Sequence, residues 1–450
     1  MFKTFINAFK IKEVRNKLLF TFLMLLIIRF GCQISAPGVD QEFVKSAWAS
    51  LFNLGGAEGY INAFTGGSLM TMSIFALNIT PYITSSIIMQ LMTIAIPKLE
   101  EMQKEGEDGR KKIAAISRYV TVALAIVESA MMAIGFGGQG LLENYNVLNV
   151  IAVIAAMTAG STFLMWIGER INEKGVGNGI SIILAINIIS SFPQDAMTLY
   201  TRFIKGKTVA LAVLAAVIIV AIIIAMVVLV IYLSNGTRKI PVQYAKKVQG
   251  HNRMMGGNAS VIPVRINTAG VIPVIFASSI LTFPIIISNM LKFDGTGWWG
   301  ECLKYLNSNF WFNINFDMSF VANLSQLKYT IGLVLYVVMV VFFAYFYTSL
   351  TFNPVEMANN MKKQGGFIPG IRPGKPTSEY LNKVLNHIIF IGAVGLIIVA
   401  VLPYIFNGVF GAQVSFGGTS IIIVVSVIVE TVKQVESQML VRNYKGFLND

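Results

Sequence analysis

Apolar residues in this chain fall into long runs separated by short polar stretches, and the runs exceed what a soluble helix buries. Ten of them are centred near Leu25, Ile83, Ala125, Ala156, Leu184, Val220, Ser278, Val338, Leu396 and Val425. A helix crossing the hydrocarbon core needs roughly 20 mostly apolar residues, so each run predicts a transmembrane span, the fifth a short one. Ten spans place both termini on one side. Residues 234–267 have a different period: Ile240, Val242 and Tyr244 alternate with polar residues, as do Ile262, Val264 and Ile266, around the turn-like stretch 254–260. Alternation of this kind predicts a protruding β-hairpin.

The second apolar run is interrupted. Phe64, Thr65, Gly66 and Gly67 precede the stretch from Ser73 to Gln90, so a short helix stops and a membrane helix restarts. Lipid offers no partner to broken backbone, which is tolerated only inside protein or beside a water-filled cavity. This stretch is therefore expected to line a cavity or pore. Ile79 and Ile83 lie one helical turn apart and share a face. Around Pro273 the pattern returns, with Val271 and Ile275 standing where Ile79 and Ile83 flank Pro81. Pro-interrupted helices in corresponding places point to inverted repeats meeting at a central site; chance recurrence of common membrane residues is the alternative, and the pattern alone leaves both open.

Composition agrees with a polytopic membrane protein. Of 450 residues 55% are hydrophobic and 13% charged, and mean hydropathy is +0.67, which excludes an ordinary soluble domain. The formal net charge of +13 is unevenly spread. With a cytoplasmic N-terminus, the inner segments hold 27 of the 35 Lys and Arg residues. The positive-inside rule therefore puts both termini in the cytoplasm.

Residues 1–17 are basic, with Phe2, Phe5, Ile6 and Phe9 at helical spacing, as in an amphipathic helix on the inner surface. A cleavable signal peptide fits less well, because the run from Leu18 is longer than an ordinary signal core. The charged run 97–112 reads as a solvated inner loop. Cys32 and Cys302 are expected as free thiols on the outer side. Gly175, Gly177 and Gly179 permit a tight turn but are not followed by the Lys-Ser/Thr of a phosphate loop, and Gly206-Lys207-Thr208 lacks the required first glycine, since Thr201 holds that place. No nucleotide site or cofactor is expected, so energy must come from a partner or a gradient.

Segments 65–97 and 265–282 resemble the second and seventh helices of the SecY family, the central subunit of the protein translocation channel. The turn 166–181, the Pro- and Gly-rich loop 353–377 and the helix start 416–423 resemble the same family. Ser35 departs from it where a proline is usual, and the outer loop 291–328 matches poorly and receives no role. The resemblance implies an all-α polytopic membrane protein with ten transmembrane helices in two inverted five-helix halves around a central pore. Those halves are 18–193 and 208–436, joined by an outer loop 194–207 and followed by a cytoplasmic tail 437–450, with inner loops 234–267 and 351–383.

It also implies a ring of apolar pore residues, Ile79, Ile83, Leu184, Ile188, Ile275 and Ile423, that excludes ions when empty and parts around a polypeptide. A plug over about residues 56–70, including Phe64, Thr65, Gly66 and Gly67, closes the outer side. A lateral gate between helices 2 and 3 and helices 7 and 8 releases apolar segments into lipid, with Gln90 and Asn267 as polar gate contacts. Arg372 is expected to engage the motor ATPase SecA or the ribosome, with Arg253 and Arg265 of the hairpin as further contacts. Small subunits SecE and SecG, an unfolded polypeptide substrate and membrane lipid complete the expected partners, in a bacterial cytoplasmic membrane.

Two other classes compete. A secondary transporter also has inverted repeats, but needs ionisable residues at mid-depth, for which Glu128 and Arg29 are the candidates. An intramembrane enzyme lacks support: His251 and His387 fall in a loop and near a helix end, and no metal-ligand cluster or catalytic pair is specified by a motif.

Overall fold

A computed structural model describes residues 9–44, 65–205, 209–244, 259–268, 270–290, 297–306, 330–410 and 418–446. In chain order the helices are α1 (Lys12–Gly31), α2 (Thr80–Ala95), a short α3 (Pro97–Lys104), α4 (Glu107–Phe136), α5 (Val147–Lys174), α6 (Gly179–Leu199), α7 (Val209–Asn235) and α8 (Ile272–Met290). They continue as a short α9 (Trp298–Leu306), α10 (Thr330–Thr351), α11 (Pro354–Lys363), α12 (Lys375–Phe410) and α13 (Gly418–Gly446). Every apolar run read from the sequence is centred in one of these helices. Among the described residues six helices are long and apolar enough to cross a membrane, and α2 with α3 makes a seventh, bent by 105°. The bend has a local cause: Ile96 is extended, as a residue before proline prefers, and Pro97 opens the next helix.

Helix boundaries differ from expectation near both ends of the chain and at the join between its halves. Residues 12–17 are the first turns of α1, where Val14 is buried with Val176 and Val435, while Phe9 and Lys10 are helical ahead of a bend at Ile11 and Phe9 is exposed; Phe2, Phe5 and Ile6 lie outside the described residues. The expected outer loop 194–207 is helical as far as Ile204, since α6 runs through Pro193 to Leu199 and a π-turn (Tyr200–Ile204) follows. At the other end α13 continues to Gly446, past the expected boundary at 436. The cluster of Val14, Val176 and Val435 also sets the start of α1, the α5–α6 turn and the late part of α13 side by side.

Small polar side chains join the first-half helices. Ser117, Thr121, Ala125, Ser129 and Ala133 recur every fourth residue along α4 and are buried. The Ser85 hydroxyl donates to the Ser117 carbonyl at 2.7 Å, and the Ser129 and Thr158 hydroxyls meet at 3.1 Å. Small residues let membrane helices approach closely where no hydrophobic force drives them together. α7 is apolar all round, and Val213, Val217, Val220 and Ile224 are exposed on it, as on a lipid-facing helix.

The hairpin is present. β1 (Thr237–Tyr244) pairs antiparallel with β2 (Ala259–Arg265), Ile240 opposite Ile262. A third strand, β3 (Gly366–Phe367), adds to the other edge of β1, with Tyr244 opposite Gly366. Sheet order is β2-β1-β3, so the 234–267 and 351–383 segments share one sheet.

Candidate functional site

The second apolar run does not resume as a helix at Ser73. Residues 66–79 form consecutive turns, with positive φ at Gly66, Gly67, Met72 and Asn78, and α2 begins only at Thr80, with Pro81 in its first turn. Space for the turns comes from α5, where a side chain at Gly160 would collide with the Ile74 carbonyl. Ile79 caps α2 and accepts from the Ile83 amide at 3.1 Å, so the two side chains stand one turn apart as expected.

All six residues expected in the ring meet in one apolar cluster. Ile79, Leu184, Ile188 and Ile423 are buried at 0, 7, 0 and 2% exposure, and the half-buried Ile83 and Ile275 pack against them. They come from α2, α6, α8 and α13, that is, from both halves of the chain. Leu184 and Ile188 are four apart on α6, hence on one face. Sequence reasoning missed other members: Ile28 of α1 and Val427 of α13 are buried in the same cluster, with Tyr82 against it. Apolar residues in apolar helices carry no signal that would single these out.

Beside the ring lies a polar layer that sequence reasoning also missed. The Asn187 side-chain amide donates to Oδ1 of Asn78 at 3.0 Å, and the Ser161 hydroxyl donates to the Asn78 carbonyl at 3.0 Å. Arg29 Nη1 donates to the Gly66 carbonyl at 3.2 Å and to Asn187 Oδ1 at 3.4 Å. The Ser68 hydroxyl donates to the carbonyls of Thr65 and Phe75 at 2.7 and 3.0 Å. Irregular backbone at this depth is thus supplied with partners by side chains from α1, α5 and α6. Two asparagines in otherwise apolar runs were the available signal. Thr65 and Gly66 of the expected plug belong to this layer, the Gly67 carbonyl accepts from Thr71 in the turns beside it, and Phe64 lies outside the described residues.

Gln90 and Asn267 are not joined. Gln90 is exposed on α2, and Asn267, just before α8, sits by Gly392 of α12. The halves meet most extensively where α6 packs on α13, and α4 also packs on α8. Glu128 and Arg29 are likewise apart in their bonding, since Arg29 turns to Gly66 and Asn187. Among the described residues no cluster of His, Cys, Asp or Glu is arranged to hold a metal. Gly206, Lys207 and Thr208 lie outside the described residues, and Cys32 and Cys302 are free thiols.

On the loop side, Arg372 is exposed between Gly370 and Gly374, both at positive φ, and its carbonyl accepts from the Thr377 hydroxyl at 2.8 Å. Arg265 is exposed at the end of β2, and Arg253 lies outside the described residues. The turn before α6 is pinned to α1 by the Val176 amide, which donates to Thr21 Oγ1 at 3.1 Å.

The model of the SecY family matches residues 73–432. The chain belongs to the SecY family. Protein translocase subunit SecY of Corynebacterium glutamicum is 41% identical, over 98% of this chain and 99% of that protein. The corresponding subunit of Streptomyces galbus is 42% identical, over the full length of both. Solved structures share the SecY fold at lower identity. A protein conducting channel aligns with TM-score 0.60 and 17% identity over 94% of this chain and 92% of that one. Sec61 in a canine ribosome-channel complex from the endoplasmic reticulum aligns with TM-score 0.56 and 16% identity, over the same shares. Within this family fold the apolar cluster occupies the junction of α2, α6, α8 and α13, and the polar layer lies on its α1, α5 and α6 side.

Proposed function

We propose that this chain is the channel subunit of a protein translocase, passing unfolded polypeptides across the cytoplasmic membrane and releasing apolar segments sideways into lipid. The observation that carries the reading is the convergence of Ile79, Ile83, Leu184, Ile188, Ile275 and Ile423, from helices far apart in sequence, in one cluster. A specific polar site would have to match every passing side chain. An apolar collar needs no match: it excludes ions by dewetting when empty and parts around a chain.

The remaining assignments follow from that role. The chain folds as two halves that join beyond Ile204, with the residue 56–70 segment as plug and both termini in the cytoplasm, the side where 27 of the 35 Lys and Arg residues then lie. The lateral gate runs between α2 with α4 and α8 with α10. Gln90 and Asn267 act in that gate at separate points. Arg372, Arg253 and Arg265 face the motor SecA or the ribosome, and SecE and SecG cover lipid-side surfaces. The subunit itself carries out no chemistry; the motor or the ribosome supplies the energy.

Photo-crosslinking tests this directly. A probe at Ile83 is expected to form adducts with a stalled secretory chain, and a probe at exposed Val220 on α7 is expected to form none. Absence of Ile83 adducts in an active, chain-loaded complex would falsify the ring.

A further inference from the structure

We propose that Arg29 is a positioning residue that latches Gly66 against Asn187 and so keeps the polar side of the apolar ring shut in the resting channel. The inference rests on the channel reading above.

A guanidinium inside a membrane protein is costly unless its donors are satisfied, and one so placed is a functional residue by default. Among the described residues no carboxylate pairs with Arg29. Its Nη1 turns to two neutral acceptors, the Gly66 carbonyl and Asn187 Oδ1, at 3.2 and 3.4 Å. The Ser190 hydroxyl is a second donor to the same carbonyl at 3.4 Å. Gly66 has φ of +62°, and a Cβ there would lie 2.8 Å from Arg29 Nη1 and 2.9 Å from the Asn187 Cα. Only glycine fits, and its carbonyl is wedged between α1 and α6.

Asn187 links this contact to the ring. Its Oδ1 accepts from Arg29 while its amide donates to Asn78, and Ile188 and Ile79 come next in the sequence. Dilating the ring moves α6, and with it the acceptor Arg29 uses. Among the described residues the guanidinium's acceptors are these two oxygens. Once a chain has opened the ring, water reaches it and replaces them, so the contact biases the resting state without trapping the open one.

The test uses the complete translocase complex in planar bilayers, with the Ile83 probe as the second readout. Arg29→Met is expected to raise the resting ion leak by about tenfold or more, the loss expected for hydrogen bonds to a charged group, while Ile83 adducts with a stalled chain persist. Arg29→Lys, which still donates to the Gly66 carbonyl, is expected to leak less than Arg29→Met. A merely structural residue would lower adducts and stability together and would not be rescued by lysine. If Arg29→Met does not assemble, the leak of Asn187→Ala in excess of that of Asn78→Ala carries the test, since both lose the Asn187–Asn78 bond and only the first also removes an acceptor of Arg29. Unchanged leak with adducts retained in whichever variant assembles overturns the latch and leaves the channel reading standing. Missing adducts in the unsubstituted complex overturn the channel reading itself.

Discussion

The Asn187 amide donates to Oδ1 of Asn78 at 3.0 Å, and each asparagine is followed at once by a ring isoleucine, Ile188 and Ile79. One hydrogen bond therefore fixes two ring side chains from different helices relative to each other. Asn78 has a positive φ, which asparagine tolerates better than most residues, so the side chain that makes the bond also permits the turn.

Replacing Asn187 with Leu removes this buried bond and is expected to cost about 1–3 kcal/mol. Thermal unfolding of the purified complex in detergent measures it. Asn78→Ala with Asn187→Leu is expected to cost less than the sum of the two single changes, because both remove the same contact. Strict additivity would show that the two asparagines act independently.

Gly160→Ala puts a methyl group into the Ile74 carbonyl. Overpacking of a tight site typically costs about 1–3 kcal/mol, and here the strain falls on the turns that lead into Ile79. Lower thermal stability is expected, together with slower adduct formation at Ile83. Wild-type behaviour in both assays would mean that α5 can move away without disturbing the turns.

Arg372→Glu is expected to leave stability within about 0.5 kcal/mol of wild type, as for exposed sites away from special features, while transport driven by a motor or a translating ribosome falls. Binding of the purified partner to the reconstituted complex separates the two effects. A stability loss matching the transport loss would reassign Arg372 to a structural role.

Cys32 is buried just past α1, whereas Cys302 on α9 is half-buried, and both are free. A maleimide added to the native complex is expected to label Cys302 first and to reach Cys32 only on unfolding. Equal labelling of the two in the folded protein would contradict the packing around α1.

The spans were legible because burial in lipid demands a long apolar run, and nothing else in a chain imitates one. The hairpin was legible from the alternation at Ile240, Val242, Ile262 and Val264. Ile79 and Ile83 could be paired by spacing alone, but Leu184, Ile188, Ile275 and Ile423 needed the family resemblance, since many isoleucines on these helices have the same local surroundings. The delayed start of α2 was hidden because it depends on room made by Gly160, on a helix more than 60 residues further along. Strand β3 was hidden for a related reason: two residues, Gly366 and Phe367, are too few to show any period. Gln90 and Asn267 were legible only as polar residues in or beside apolar runs, and that residue type carries no information about which helix each one faces.

The pairing of β3 with β1 gives the loop side of the molecule a mechanical character. Arg372 lies almost at the start of α12, but its path to α8 runs through β3, β1 and β2. Antiparallel ladders pulled along their strands are loaded in shear, so their hydrogen bonds resist together rather than opening one at a time. A push or pull delivered at Arg372 is therefore divided between two levers, α12 reached along the chain and α8 reached across the sheet, and the second of these carries Ile275.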